Sequence, residues 1–198
     1  MDRKIKILTL SQQTYFAKVL RSFSIVNAKV TSTPMGTHFK LSALKEHEVN
    51  FEAKHMKVVP YSNCVGSLMY AMVSTRPDLA YGMGLVSRFI SKPSRNHLQA
   101  ARWLLRYLKG TSGLKFVYSQ SATKGPKIVG YYDSDYAVDL DKRRSISSYV
   151  FTFGGNTMSW KSSLQHVVAL STTEAEYISL IEVIKEGLWL NISEVGFI

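Results

Sequence analysis

The chain has 198 residues, 45% of them hydrophobic, which is enough for one medium or two small globular domains. No apolar run approaches the roughly 20 residues that a transmembrane helix needs, and a single cysteine, Cys64, excludes an intrachain disulfide and a cysteine-based zinc site. The net charge of +11 is uneven, because residues 1–126 carry 19 lysines and arginines against 5 acidic residues, whereas residues 127–198 carry 6 against 9.

This charge asymmetry predicts two kinds of partner. A basic surface attracts polyanions such as nucleic acid, and an acidic surface attracts divalent cations. A solvated basic surface without a specific partner explains the same composition, so charge alone leaves both interpretations open. The apolar stretch of the basic N-terminus breaks at Ser11, which argues against a secretory signal and favours a cytoplasmic or nuclear protein.

The first half of the sequence is predicted to be mainly helical. Ser11 begins a helix that continues to about Phe23, because apolar residues recur on one face of that segment. Residues 35–58 are polar and weakly periodic, which is typical of a long loop. Helical patterns resume over Tyr61–Val73 and over Asp78–Ile90, where a proline suits the first turn of the second helix.

A further helix is predicted to begin at Pro93-Ser94 and to continue through Leu108, with Gly110 at its end. Its apolar face comprises Leu98, Ala101, Leu104, Leu105 and Leu108. Such a pattern is typical of an amphipathic core helix with solvated charges, although the charged face is also suited to contact phosphates. Four residues of that face are therefore candidate nucleic-acid-binding positions: Arg95, Arg102, Arg106 and Lys109.

From residue 113 onward the pattern changes from helices to strands. A glycine-rich turn at residues 154–156 joins two of the predicted strands as a hairpin. The polar segment 119–126 follows the first strand and is predicted as a domain linker. The predicted strands are Leu114–Tyr118, Lys127–Tyr132, Ser147–Phe153 and Thr157–Lys161.

The last predicted elements are an extended apolar segment, Val167–Leu170, and a helix that Ser171 caps and that ends near Leu190. Ser171 and Glu174 have the spacing of a capping box, in which two side chains bond free amides at the helix start. The inward face of this helix is predicted to consist of Ala175, Ile178, Ile181 and Leu188.

Carboxylates at the end of one predicted strand and near the start of the last helix predict an acidic site that binds a metal ion. Asp133 and Glu176 are the candidate ligands. The other acidic residues have simpler roles: a turn at the strand end for Asp135, the helix start for Glu174, and a solvated loop for Asp139 and Asp141.

Short motifs along nearly the whole chain occur in the order found in one protein family. Each motif is weak evidence by itself, but the ordered set is specific. The sequence resembles the Pol polyproteins of copia-type (Ty1/copia) retrotransposons in these segments: Val59-Pro-Tyr-Ser-Asn-Cys, Ser74-Thr-Arg-Pro-Asp, Leu105-Arg-Tyr-Leu-Lys-Gly, Tyr132-Asp-Ser-Asp-Tyr-Ala, Arg144-Ser-Ile-Ser, Ser159-Trp-Lys-Ser and Ala169-Leu-Ser-Thr-Thr-Glu-Ala-Glu-Tyr.

The resemblance implies a mixed fold, of class α+β or α/β, with two domains. Residues 1–118 resemble the helical C-terminal part of a reverse transcriptase, including thumb- and connection-like elements. Residues 119–126 are the linker. Residues 127–198 resemble an incomplete ribonuclease H domain, with three antiparallel strands and the first helix but without the later strands.

Ribonuclease H domains of this kind cut the RNA strand of an RNA–DNA hybrid and hold Mg²⁺ with carboxylates. By position, Asp133 resembles the aspartate of the first strand and Glu176 the glutamate of the first helix, so both are implied as catalytic residues and metal ligands. The paired aspartates of the reverse transcriptase are expected upstream of residue 1, and two more ribonuclease carboxylates are expected beyond residue 198. The resemblance therefore implies weak Mg²⁺ binding and a fragment that is catalytically deficient alone.

Three functions remain in competition, and none of them involves a membrane. The first is a retrotransposon-derived fragment that keeps a nucleic-acid-facing basic body but lacks activity. The second is an active ribonuclease that further chain or a partner, such as the rest of a Pol polyprotein, completes by adding a strand. The third is a secreted effector that acts by protein interaction in a host, because Arg102-Trp-Leu-Leu loosely resembles the Arg-x-Leu-Arg motif of oomycete effectors.

Overall fold

The structure is a computed structural model that combines helices with antiparallel strands, which confirms the coarse prediction of an α+β fold. Within the described residues, no helix has both the length and the apolar composition needed to cross a membrane. The described residues are 6–45, 51–52, 54–119 and 127–195, with side chains as far as residue 190.

The chain divides into two compact units. One is helical and comprises Leu10–Phe116. The other joins Met1–Thr9 with Val117–Ile198 and contains a three-stranded sheet and one long helix. Apart from Ser119, the predicted linker lies outside the described residues.

The helical unit contains α1 (Gln13–Ser22), α2 (Tyr61–Thr75), α3 (Ala80–Val86) and α4 (Arg95–Gly110), and residues 51–52 and 54–56 are helical as well. The helix predicted over 78–90 is interrupted, because short 3-10 helices at Pro77–Leu79 and Ser87–Phe89 flank α3. The packing of α3 explains why position 82 is a glycine. A Cβ atom there would lie 2.6 Å from Cδ2 of Leu104, so glycine allows α3 to pack closely on α4.

Local sequence signals determine where α4 begins. Ser94 is its N-cap, and its Oγ accepts a hydrogen bond from the N–H of His97 at 3.4 Å. Nδ1 of His97 accepts a hydrogen bond from the N–H of Ser94 at 2.8 Å, which closes a capping box. The predicted apolar face is confirmed, because four of its five members are fully buried: Ala101, Leu104, Leu105 and Leu108. The fifth, Leu98, is partly exposed.

A buried arginine connects three helices of this unit. Arg76 directly follows α2, is 1% exposed and forms an ion pair with Asp78, with 2.6 Å between Nη2 and Oδ2. The same guanidinium donates hydrogen bonds to the main-chain oxygen and the hydroxyl of Thr111, just beyond α4. The rings of Phe16 and Tyr107 have their centres 5.8 and 5.4 Å from the guanidinium carbon, which is cation–π range.

Cys64 lies in α2 and is 2% exposed. Burial raises the pKa of its thiol to about 12, so the reactive thiolate is almost absent at neutral pH. Cys64 is therefore a small buried side chain of the helical core.

Strands form two sheets, and the pairing within the larger, three-stranded sheet is antiparallel. β1 (Ile7–Leu10) pairs with β2 (Phe116–Ser119), and the larger sheet has the order β3 (Ile128–Asp135), β4 (Ile146–Phe153) and β5 (Asn156–Leu164). The predicted hairpin is confirmed between β4 and β5. Gly154 and Gly155 have φ angles of 55° and 83°, the left-handed values that a type I′ turn requires.

The remaining helix, α5 (Thr172–Val195), begins at the predicted serine cap. Oγ of Ser171 accepts a hydrogen bond from the N–H of Glu174 at 3.1 Å. Oε2 of Glu174 accepts from the N–H of Leu170 at 2.7 Å, one residue earlier than in a capping box. The extended segment predicted over Val167–Leu170 pairs with no described strand, and only Ala169 of it is buried.

The predicted inward face of α5 is wrong at two of its four positions. Ile181 and Leu188 are 51% and 59% exposed, whereas the buried side consists of Ala175, Ser179, Val183 and Leu190. Apolar residues occur on both sides of this helix, so their spacing does not identify which side faces the sheet.

The core of this unit forms around Phe151, which is 4% exposed and packs with Tyr149, Val183 and Leu190. Gly130 makes room for the Phe151 ring from the neighbouring strand. A Cβ atom at Gly130 would lie 2.7 Å from Cε1 of Phe151, a distance that real contacts do not reach. The face of the sheet that packs on α5 therefore carries Tyr149 and Phe151, and the absence of a side chain at Gly130 leaves space for the Phe151 ring.

Candidate functional site

Asp133 lies near the end of β3, opposite Ser148 of β4, and it is exposed. Its Oδ1 accepts a hydrogen bond from the N–H of Ser134 at 2.9 Å. Side chains alternate along a strand, and Ser147 lies in the row that faces α5 with Phe151. Asp133 belongs to the alternate row, so its main chain, and not its carboxylate, faces the helix.

Glu176 lies in the first turns of α5 and is partly buried. Ser179 follows it by three residues and is completely buried. Oγ of Ser179 donates a hydrogen bond to the main-chain oxygen of Asp133, with 3.0 Å between the two atoms. Because residues three apart lie on the same side of a helix, this bond brings the turn that carries Glu176 to the strand that carries Asp133.

A second hydrogen-bonded contact joins the same turn of α5 to the sheet. Gln165 is 4% exposed, and its Nε2 donates to Oγ of Ser147 at 2.9 Å and to the main-chain oxygen of Ala175 at 2.8 Å. Sequence reasoning missed both Gln165 and Ser179. The sequence offered one signal for them, a polar residue within an apolar segment. Burying such a residue costs free energy unless its hydrogen bonds are made, so it is a candidate for a buried hydrogen bond.

The other acidic residues occupy separate environments. Asp135 is exposed at the end of β3, and Glu174 is part of the helix cap described above. The prediction of a solvated loop is wrong for Asp139, which is 4% exposed. Its Oδ1 accepts from the N–H of Asp141 at 3.2 Å, and its main chain bonds Arg143 and Arg144, so it organises the turn from within.

Two further glutamates of α5 have partners outside the candidate site: Ser159 of β5 for Glu186, and Lys185 of the same helix for Glu182. Glu186 accepts a hydrogen bond from Oγ of Ser159 at 2.9 Å. Burial, followed by the nearby Glu186 carboxylate, raises the pKa of Tyr149 to about 12. The hydrogen bond from Lys185 lowers the pKa of Glu182. These carboxylates therefore have local partners and do not extend the candidate site.

The residues that could hold a metal ion are the two predicted carboxylates. Within the described part of the chain, no three acidic, histidine or cysteine side chains converge on one point. The hydrogen bond from Ser179 joins the two elements that carry these carboxylates, but the Asp133 side chain lies on the face of the sheet away from α5, so the structure does not show the two carboxylates converging on one ion. They do not form a closed cage.

The four candidate nucleic-acid-binding residues lie along one side of α4, because their spacings of seven, four and three residues match the helical repeat. Arg102 is exposed, and Arg95 is paired with Glu52 at 3.8 Å. Arg106 donates to the main-chain oxygen of Lys29, and Nζ of Lys109 donates to that of Ala28 at 2.8 Å. The last two therefore also attach a loop to α4, a structural role that the sequence pattern did not reveal.

Comparison with known proteins identifies the family of this chain. The chain is 48% identical, over 197 residues, to the retrovirus-related Pol polyprotein from transposon TNT 1-94 of Nicotiana tabacum. The match covers 98% of this chain. The chain belongs to the copia-type retrotransposon Pol family. The resemblance carried by the ordered motifs is thereby confirmed at the level of the family.

Members of the Pol family are longer than the matched region. The chain spans 15% of the tobacco polyprotein and 56% of the putative transposon Ty5-1 protein of Saccharomyces cerevisiae, to which it is 33% identical over 183 residues. No family model and no solved structure matches the chain.

A relative with a different name shares part of the same sequence. The secreted RxLR effector protein 161 of Plasmopara viticola is 48% identical over 139 residues, which are 69% of this chain and 95% of that protein. The tetrapeptide Arg102-Trp-Leu-Leu lies inside α4, where Leu104 and Leu105 are completely buried. It is therefore a packed helix segment and not an accessible linear motif.

Proposed function

We propose that this chain is a Pol polyprotein segment that binds nucleic acid through its basic helical unit and carries part of a ribonuclease H site, Asp133 and Glu176. The observation that carries the proposal is the hydrogen bond from Ser179 to Asp133, which joins the two carboxylate-bearing elements. The substrate implied by the family resemblance is an RNA–DNA hybrid. A bound Mg²⁺ would supply charge stabilisation and an activated water at this site.

The proposed site is catalytically deficient in the chain alone. The described residues supply two carboxylates and no third ligand, so binding of Mg²⁺ is expected to be weak. β3 is an edge strand of the described sheet, and the side of α5 away from that sheet is apolar and exposed. An added strand from a longer Pol polyprotein would pair with β3 and complete the sheet.

Cleavage of an RNA–DNA hybrid tests this proposal. The chain alone is expected to show no Mg²⁺-dependent cleavage, whereas a longer Pol segment that contains it is expected to cleave the RNA strand. Asp133→Asn in the longer segment should lower the rate at least about 100-fold, because a metal ligand is lost. Asp135→Asn is the matched control and should leave the rate within about twofold.

Two results would contradict this assignment. Cleavage by the chain alone that Asp133→Asn abolishes would refute the catalytic deficiency. A longer segment whose cleavage is the same with and without Asp133→Asn would refute the assignment of the acidic pair.

Binding of nucleic acid is tested separately through its salt dependence. Arg102 is an exposed member of the α4 stripe, so Arg102→Ser should reduce the slope of log affinity against log salt by about 1 without loss of stability. Affinity for a short hybrid, measured by fluorescence anisotropy at several salt concentrations, gives this slope. Arg21→Ser removes an exposed arginine of α1 and should leave the slope unchanged. Equal slopes for the wild type and both variants would exclude the stripe.

A secreted effector that acts by protein interaction is the alternative that the Plasmopara relative's name raises. The buried leucines of the tetrapeptide give that alternative no support from the structure. Secretion of the full chain with its native N-terminus would favour it over the polyprotein segment.

A further inference from the structure

Three aromatic rings cluster against one side of α4 in the helical unit. The rings of His38 and Phe39 have their centres 4.2 Å apart, and the Trp103 ring centre lies 5.1 Å from the first and 5.6 Å from the second, in edge-to-face arrangements. Arg106, one turn further along α4, has its guanidinium carbon 5.2 Å from the centre of the Trp103 ring, which is cation–π range. We call these four residues the aromatic platform.

Hydrogen bonds and a glycine hold the rings of the platform in place. Nε1 of Trp103 donates to the main-chain oxygen of Thr33 at 2.9 Å. The N–H of Phe39 donates to the main-chain oxygen of Gly36 at 3.1 Å, which closes a turn. A Cβ atom at Gly36 would lie 2.5 Å from Cε1 of His38, so only glycine leaves space for that ring. Because the rings are already ordered, contact with a ligand costs little further conformational entropy.

The three rings differ in their exposure to solvent. Trp103 and Phe39 are partly buried, as expected for side chains that attach a loop to a helix. His38 is exposed, although its ring contacts both of the others. An exposed ring that two other rings hold in place is an accessible surface on which a further flat ring can stack.

The charge around the platform restricts the chemistry of such a ligand. Neither part of the chain that builds the platform contains an acidic residue, since none occurs in residues 3–45 or 79–132. Lys40 and Arg102 directly neighbour platform residues in sequence, and both are exposed. This environment repels cations and attracts anions. The platform therefore suits a ligand that combines flat aromatic rings with negative charge.

Single-stranded nucleic acid has this combination of properties. Its unpaired bases are flat rings that stack on aromatic side chains, and each nucleotide carries a phosphate. In a base-paired helix the bases stack on one another, and a base must leave the helix before a protein can contact its flat face. The aromatic rings can therefore distinguish an unpaired strand from a paired one, which basic residues alone do not do.

We propose that the aromatic platform binds an unpaired base of a single-stranded nucleic acid, with the His38 ring as the stacking surface and with Arg102 and Lys40 in contact with the adjacent phosphates. This inference rests on the proposed function, because it specifies which form of nucleic acid the basic helical unit binds. The rings supply the preference for an unpaired strand, and the cations supply affinity for its phosphate backbone.

Two substitutions at His38 separate stacking from charge. His38→Ala removes the ring, whereas His38→Tyr keeps a ring that carries no positive charge. The measurement is fluorescence anisotropy of the full chain with a labelled oligothymidylate and with a blunt RNA–DNA hybrid of the same length. His38→Ala should weaken binding of the single strand about tenfold, as for loss of one stacked base, and change binding of the hybrid by less than about twofold. His38→Tyr should keep the wild-type affinity for both.

The salt dependence of binding distinguishes the platform from the basic stripe. Stacking releases no counterions, so His38→Ala should weaken binding by the same factor at every salt concentration and leave the salt slope unchanged. His55→Ala is the matched control, because it removes another exposed histidine of the same unit, one whose ring contacts a single phenylalanine, Phe51. It should leave the affinity for the single strand unchanged.

The ring protons of His38 give a measurement that depends on no variant's stability. Their NMR signals, identified by their absence in His38→Ala, should move upfield as oligothymidylate is added, because a stacked base shields them. Equal affinities of the wild type and His38→Ala for the single strand, or an equal loss in His55→Ala, would overturn the platform while leaving nucleic-acid binding in place. Failure of the wild type to bind either nucleic acid would instead overturn the proposed binding function, and the platform with it.

Discussion

Asp78→Ala is expected to destabilise the helical unit by about 3–5 kcal/mol, a large part of the stability of an ordinary domain. The reason is the charge that remains. Arg76 is 1% exposed, and without Asp78 its guanidinium keeps, among the described residues, the oxygens of Thr111 and the side chains of Phe16 and Tyr107 as partners. Removing one member of a buried ion pair leaves an uncompensated charge in a medium that solvates it poorly.

The same reasoning predicts that the stability costs of substituting Arg76 and Asp78 are not additive. Asp78 keeps 32% of its side chain exposed, so Arg76→Met, which leaves this carboxylate partly in water, should cost less than Asp78→Ala. In the double variant no buried charge is left alone. Its cost should therefore fall well below the sum of the two single costs.

Denaturant unfolding that is followed through Cys64 measures this effect in the correct unit, since the thiol is buried there and reacts only when the unit opens. Glu52→Ala is the control, because it breaks a pair with Arg95, whose side chain is 50% exposed, together with a hydrogen bond from the Arg95 N–H, and should cost only about 1–2 kcal/mol. A cost below about 1 kcal/mol for Asp78→Ala would show that water reaches the guanidinium.

Elements with local signals could be predicted from the sequence. The start of α4 follows from Ser94 and the β4–β5 hairpin from Gly154 and Gly155, because a cap and a left-handed turn depend on a few neighbouring residues. The interruption around α3 could not be predicted. Nor could the close packing of α3 on α4, which depends on Gly82 meeting Leu104, a contact between residues distant in sequence.

In the candidate site, too, local motifs could be read from the sequence, whereas contacts between distant residues could not. Asp133 and Glu176 were selected from motifs that the family match supports, and their role in a site stays a prediction. What the sequence could not provide was the contact between their elements. That contact depends on Ser179 and Gln165, and the same apolar pattern that obscured the inward side of α5 also obscured these two polar residues.

Two leucines of α5 provide the sharpest test of which side of this helix is buried. Leu190 is 6% exposed and packs with Phe151, whereas Leu188, which the sequence pattern placed inward, is 59% exposed. Leu190→Ala should destabilise the unit by about 2–5 kcal/mol, through lost burial and the cavity left behind. Leu188→Ala should change stability by no more than about 0.5 kcal/mol.

The comparison becomes more informative in a longer Pol segment. If added chain covers the outward side of α5, as proposed, Leu188 becomes buried and Leu188→Ala should then cost about 1–3 kcal/mol, while the cost of Leu190→Ala stays the same. Thermal or denaturant unfolding of both variants, with and without the added chain, measures the difference. Equal costs for the two leucines in the chain alone would refute the rotation of α5 described here. An unchanged, negligible cost for Leu188→Ala in the longer segment would refute the coverage of its outward side, because a leucine that stays in water has no apolar contacts to lose.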